Sequence, residues 1–265
     1  SPPGITFSTK TNKAYIQYPI RGYQENRLVE IDPATASYRN IIEEKSKTFV
    51  DQGGIDWRLL EDTDEVIWRS ERSGWAQYYL IDLKTAKVKN AITTGNWVVR
   101  KISDLDLKNR FLTFTGNGLA AGQDPYQLHV YRASLDGKTL VDLTPGDGSH
   151  TVTWSPNRKY YLDTYSRVDL PPVYELRNGA DGKLLSVIAK ADDSKLKSNG
   201  IKPVQRFVAE GRDGKTPIYG IAVYPTHFDK TKKYPVIEYI YAGPHDSHVP
   251  KTYRPFLNMH RLAEL

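Results

Sequence analysis

Residues 232–251, "KKYPVIEYIYAGPHDSHVPK", place Tyr239, Tyr241, Gly243, Pro244, His245, Asp246, Ser247 and His248 just beyond an apolar run. A phenol at the end of a buried strand is held rigidly and keeps its proton at neutral pH. Tyr241 therefore has an O–H to donate. The competing fate is a core tyrosine whose hydroxyl is satisfied by a neighbour. Tyr239 faces the other way by strand alternation and reads as packing. Gly243 and Pro244 shape the turn that presents Tyr241 and carry no chemistry. His245, Asp246, Ser247 and His248 supply the residue types of a catalytic triad, but neighbours in an extended loop point in divergent directions. As a metal site the two histidines lack a third ligand, so the four residues read as a solvated loop.

The elements that must position this stretch are strands. The chain has 265 residues, enough for one large all-β domain or two smaller ones, with 18 Tyr, 5 Trp and a mean hydropathy of −0.57. Apolar residues are thus spread over short segments, which suits sheets better than helical bundles. Period-2 runs recur from "KAYIQYPI" to "VYELRN", and nothing before the last dozen residues has a helical pattern. Four hairpins share one form: "RLVEIDPATASYRNII", "YYLIDLKTAKVKNAI", "HVYRASLDGKTLVDL" and "VYELRNGADGKLLSVI". Their turn aspartates, Asp32, Asp82, Asp136 and Asp181, are spaced 82 − 32 = 50, 136 − 82 = 54 and 181 − 136 = 45 residues apart. Asp and Gly suit these turns because a tight hairpin needs positive φ or a side chain that caps its own turn. A further strand pair precedes each hairpin, giving four-stranded units at the period of propeller blades. Four such units form either a small closed ring or part of a larger one.

After "ADDSKLKSNGIKP", read as a connector, the pattern changes. A hairpin around "GRDGK", a strand "YPVIEYIYAG" of the kind buried on both faces, and a helix in "TYRPFLNMHRLAEL" with Pro255 in its first turn begin a second domain. The expected organisation is a partial β-propeller over 1–195, followed over 196–265 by a linker and the first strands and helix of an α/β domain.

There is no cysteine, which excludes disulfides, thiolate metal sites and a cysteine nucleophile. Net charge is +6 with basic and acidic residues interspersed, a solvated surface rather than a nucleic-acid footprint. No run reaches the roughly 18 apolar residues of a membrane span, and "SPPGITFSTK" lacks the pattern of a signal peptide.

"RSERSGWAQYYLIDLKTAKVKNAITTGNWVV", "DGSHTVTWSPNRKYYLDTYSRVDLPPVYELR", "GRDGKTPIYGIAVYPTHFDKTKKYPVIEYIYAGPH" and the terminal "LAEL" resemble, in order, the dipeptidyl peptidase IV branch of the prolyl oligopeptidase family of serine peptidases. The resemblance implies an eight-bladed propeller on an α/β-hydrolase domain that cuts short peptides after a penultimate proline or alanine. This chain would hold the latter half of the propeller and the opening strands of the hydrolase. It also implies that Tyr241 is the oxyanion donor, and that Phe49 in "KTFVDQGG" contributes an aromatic ring to the substrate pocket, the alternative being a blade-edge core residue. The implied partners are a peptide substrate and either a second copy or the remainder of the enzyme. No metal or organic cofactor is implied, and the implied compartment is periplasmic or secreted. The rival reading is a non-enzymatic propeller-like module that binds protein or peptide.

An α/β-hydrolase carries its nucleophile in G-x-S-x-G, and no serine here has that setting: "DGSH" at Ser149 lacks the second glycine. The chain alone is therefore expected to have no peptidase activity. Glu43 and Glu44 are adjacent acids like the pair with which the family reads a free amine, but they follow a blade strand and read as a solvated edge. Arg69 to Trp75 and Thr164 to Pro172 read as structural: charges bridging blades, Trp75 packing between sheets, and "DLPP" ending a strand for want of amide hydrogens.

Overall fold

The computed structural model describes residues 4–241 and 247–265. Its strands among those residues form four four-stranded antiparallel sheets and one two-stranded sheet. The first sheet is a meander of β1 (Gly4–Phe7), β2 (Ala14–Pro19), β3 (Glu25–Asp32) and β4 (Ser37–Lys45). The second holds β5 (Trp57–Leu60), β6 (Glu65–Ser70), β7 (Gln77–Asp82) and β8 (Lys87–Ala91). In the third are β9 (Val98–Asp106), β10 (Phe111–Asn117), β11 (His129–Ser134) and β12 (Leu140–Asp142), and in the fourth β13 (Ser149–Trp154), β14 (Tyr160–Arg167), β15 (Leu170–Asn178) and β16 (Leu184–Lys190). These are the four repeats expected from the turn spacing.

Each repeat hairpin joins the last two strands of its sheet, and its aspartate does what the sequence suggests. The Oδ1 atoms of Asp32, Asp82, Asp136 and Asp181 accept backbone N–H bonds from Ala34, Thr85, Lys138 and Lys183 at 2.9, 2.7, 3.1 and 3.0 Å. Each turn then needs one left-handed residue, filled by Ala36 and Ala86 (φ 54° and 57°) and by Gly137 and Gly182 (φ 75° and 74°). The two glycines have a second reason to be there. A Cβ on Gly137 would lie 2.4 Å from the carbonyl oxygen of Ala91, and one on Gly182 would lie 2.9 Å from the Leu143 Cα.

By compactness the chain forms two units, Ser1–Leu119 with Tyr131–Val141, and Ala120–Val130 with Asp142–Leu265. In the first unit, alternation along β6 and β7 sends consecutive side chains to two cores. Val66, Trp68, Tyr79 and Ile81 pack with Leu28, Ile41 and Ile42 of the first sheet. Ile67, Tyr78 and Leu80 pack with Val99, Leu112, Phe114 and Tyr131 of the third. A strand covered on both faces reads as a continuous apolar run, and "YYLI" does. Polar side chains tie the same sheets: Arg69, 4% exposed, donates from Nε to the Val99 carbonyl at 3.1 Å, and Arg39 donates to the carbonyls of Leu83 and Lys84. The expected bridging role of the Arg69 segment is met, but Trp75 is 41% exposed on its turn rather than packed between sheets.

Glu65 is the most deeply buried acid of the first unit's apolar interior. Burial raises its pKa, but hydrogen bonds from Arg110 (2.7 Å), Lys89 (2.5 Å) and Thr63 (2.6 Å) outweigh that and hold the carboxyl at about 2.

In the second unit, β17 (Gln205–Glu210) and β18 (Pro217–Ala222) form the expected hairpin around "GRDGK". A small core of Val168, Val204 and Leu257 joins it to the β14–β15 turn, with Ile221, Val223 and Met259 alongside. Several expectations are corrected here. The connector contains a helical turn, α1 (Ser194–Ser198), in which Lys197 pairs with Asp193 at 2.8 Å. Pro171 and Pro172 lie inside β15 rather than ending a strand, and the ladder is irregular between Tyr165 and Arg167, beside these residues without amide hydrogens. The C-terminal helix α2 spans Asn258–Ala263, so Pro255 precedes it; Leu257 N–H bonds to His260 Nδ1 at 3.0 Å. No strand forms over 234–241, and Val236, Ile237 and Ile240 are 90%, 63% and 68% exposed. A strand exists only by pairing, and no described strand lies beside this segment to complete its ladder.

Two outcomes are expected. Gly137→Ala combines a positive φ with a blocked Cβ and should cost about 2 kcal/mol or more in urea denaturation, against a near-neutral Ala86→Gly. Glu65→Gln should cost about 2 kcal/mol at neutral pH. Because the folded carboxyl titrates below its ordinary 4.5, its stabilisation is complete above that value and is lost as pH falls through about 2. The deficit of the variant should shrink over that window.

Candidate functional site

Tyr241 lies in the second unit at the end of the unpaired apolar segment and is 64% exposed. Its ring lies 5.6 Å from that of His248 at 36°, and the Tyr239 ring lies 5.0 Å from the same imidazole. The two tyrosines are thus not segregated to opposite faces, because alternation holds only within a paired strand. The phenol of Tyr241 is not sealed in an apolar core, which keeps it open to a reacting group. Gly243, Pro244, His245 and Asp246 lie outside the described residues. Among the described residues no three His, Asp or Glu side chains converge in a way that could hold a metal ion.

Phe49 lies in the first unit, on the loop after β4, and is 43% exposed. Its backbone N–H donates to Ser46 Oγ at 3.3 Å, and Val50 N–H donates to the Tyr23 carbonyl at 2.7 Å. These bonds fix the loop so that Phe49 stacks on Tyr23, with centroids 6.0 Å apart at 27°. The pair is a half-exposed aromatic platform rather than core, and Tyr23 holds a positive φ of 58° to present it. The sequence reading missed Tyr23. The clue was the turn "RGYQEN", where a glycine precedes an exposed aromatic.

The acidic pair splits. Glu43 is exposed, and hydrogen bonds from Lys45 and then Asn40 lower its pKa. Glu44 is buried and accepts from Ser70 Oγ (2.7 Å), Trp68 Nε1 (3.3 Å) and Arg72 (3.3 Å). The expectation that both form a solvated edge is therefore wrong for Glu44. Successive strand residues point to opposite faces, and Glu44's face is covered by the second sheet.

A second feature that the sequence did not announce is a cavity of about 470 Å³ in the second unit, lined by Asp124, Gln127, Arg206, Phe207, Tyr219 and Lys251 among others. Lys251 pairs with Asp124 at 2.7 Å and lies over the rings of Tyr126 and Tyr219. The amide oxygens of Gln123 and Gln127 are buried without a donor, so the wall offers acceptors to an N–H or O–H group.

The four-stranded sheets, each closed by a turn of the same form, define propeller-type blades, here followed by a hairpin and short helices. Residues 3–172 match the family described as Dipeptidyl peptidase IV (DPP IV) N-terminal region. The chain belongs to that family. It is 31% identical over 181 residues to a probable dipeptidyl-aminopeptidase B of Arthroderma benhamiae, covering 66% of this chain and 19% of that protein. It is 29% identical over 180 residues to dipeptidyl peptidase 4 of Trichophyton rubrum, covering 66% and 22%. The chain thus spans about a fifth of the length of these curated relatives. Among solved structures, dipeptidyl peptidase 4 of Porphyromonas gingivalis superposes with a TM-score of 0.78 at 22% identity, over 98% of this chain and 36% of that one. A putative dipeptidyl aminopeptidase IV from Bacteroides ovatus gives 0.80 at 22%, over 98% and 39%. The fold is therefore mainly β, a partial propeller of four blades followed by a two-stranded hairpin and short helices.

If Phe49 is a surface platform, Phe49→Ala should change thermal stability by less than about 1 kcal/mol. Phe114→Ala, in the fully buried cluster, should cost about 3–5 kcal/mol.

Proposed function

We propose that this chain is the propeller-to-hydrolase segment of a dipeptidyl peptidase IV-type serine exopeptidase, which releases N-terminal Xaa-Pro or Xaa-Ala dipeptides by acyl transfer. The observation that carries the reading is the family match over residues 3–172, continued by a structural likeness over 98% of the chain. In this reading residues 1–195 are propeller and 196–265 open the hydrolase domain. The nucleophilic serine, which has no elbow here, belongs to sequence outside these 265 residues.

Tyr241 donates its O–H to the oxyanion of the tetrahedral intermediate; its exposure and its place at the end of an apolar segment support that role. Phe49, with Tyr23 behind it, supplies an aromatic face to the peptide. The apolar segment Val236–Tyr241 and the outward residues Leu185, Val187 and Ile188 of β16 are exposed. Their exposure supports a partner surface, filled by the remainder of the enzyme or by a second copy.

The test is turnover of a chromogenic Xaa-Pro substrate by a polypeptide spanning the length of the relatives. Tyr241→Phe should lower kcat by about 10²–10³ with KM little changed. Phe49→Ala should mainly raise KM. The 265-residue chain alone should be inactive. An unchanged kcat in Tyr241→Phe, or turnover by the chain alone, would refute the proposal.

A further inference from the structure

The fourth sheet has a charged interior. Asp163 on β14, and Glu175 and Arg177 on β15, are buried with His150 of β13 and His129 of β11. Arg177 Nε donates to Glu175 at 3.0 Å and lies 3.3 Å from Asp163, while its Nη1 donates to the Gly182 carbonyl at 2.8 Å. Two carboxylates therefore share one guanidinium. With no further proton the cluster would carry a net negative charge out of water, a costly arrangement.

His150 stands where the balancing charge is needed. Its side chain and that of Asp163 are both 0% exposed. Nδ1 lies 2.8 and 3.1 Å from the two carboxylate oxygens of Asp163, and Nε2 lies 2.8 Å from the carbonyl oxygen of Gly146. Both ring nitrogens face acceptors. A neutral imidazole has one N–H and one lone pair, so either neutral tautomer would press a lone pair against an oxygen at hydrogen-bond distance. With Asp163 ionised beside Arg177, only the doubly protonated ring satisfies both contacts.

The neighbours on every packed element agree. On β11, His129 lies 4.9 Å away, with its Nδ1 2.7 Å from the Thr144 carbonyl; burial lowers its pKa and keeps it neutral, so the two rings carry one charge. On β14, Tyr165 stacks on His150 at 4.8 Å and 27°, presenting the electron-rich face that a cation favours. Arg177 on β15 is a like charge nearby, and Glu175 engages it.

We propose that His150 is an imidazolium in the folded protein, so that a bound proton is a structural component of the β13–β16 sheet. The clasp joins three elements: the loop at Gly146, β13 and β14.

Two measurements test this on the 265-residue chain. Imidazole ¹⁵N spectra, assigned to His150 and recorded at about pH 7.5, should show both ring nitrogens protonated. His150→Gln, which cannot donate to both Asp163 and the Gly146 carbonyl from a charged ring, should lower the thermal midpoint by several degrees. A single protonated nitrogen on His150 in the folded chain at about pH 6.5 would overturn the proposal, and so would an unchanged thermal midpoint in a folded His150→Gln. Should that variant not fold, the ring spectrum of the parent decides alone.

Discussion

A four-stranded meander has two faces, and in this chain both faces of the second sheet are apolar. Val66 and Trp68 lead one way and Ile67 the other, so the sheet is stable only when sheets lie against both sides. This constraint selects the architecture. It explains why β6 and β7 are buried throughout, and why the sheets repeat instead of closing on themselves. The same constraint accounts for the segment 234–241, an apolar run left exposed where no described strand pairs with it.

Apolar stacking sets the spacing but not the register between sheets. Polar groups do that. Arg69, Arg39 and Glu65 each reach from one sheet or its turn to the next, and the Glu65 carboxyl is ringed by donors on three sides. In the second unit the principle goes further, since the interior face of β13–β15 is itself ionic, with Asp163, Glu175, Arg177 and His150 packed together. Such groups are costly to bury unless every partner is present. They therefore favour one arrangement over near alternatives that apolar contacts alone would tolerate.

The candidate site shows the same division. Tyr241 and the Phe49–Tyr23 platform are each presented by loops, and loops are fixed by a few local bonds, such as Val50 N–H to the Tyr23 carbonyl. Tyr241 stands out in the sequence because its motif is contiguous. Tyr23 was not, because its partnership with Phe49 joins residues 26 positions apart by a fold-dependent contact (49 − 23 = 26). Glu44 was misread for a related reason: adjacent acids look equivalent in a sequence, and only the covered face of the sheet separates them.

What the sequence determined alone were features with short range or fixed period: the blade strands, the four aspartate turns and the blade repeat. Each depends on backbone geometry within a few residues, or on an alternation that recurs. Tertiary structure alone decided which charges are buried and paired, where β15 admits its prolines, that α1 forms in the connector, and that 234–241 lacks a ladder. Those outcomes depend on partners distant in sequence, and no local pattern of residue types encodes the presence or absence of a neighbour in space.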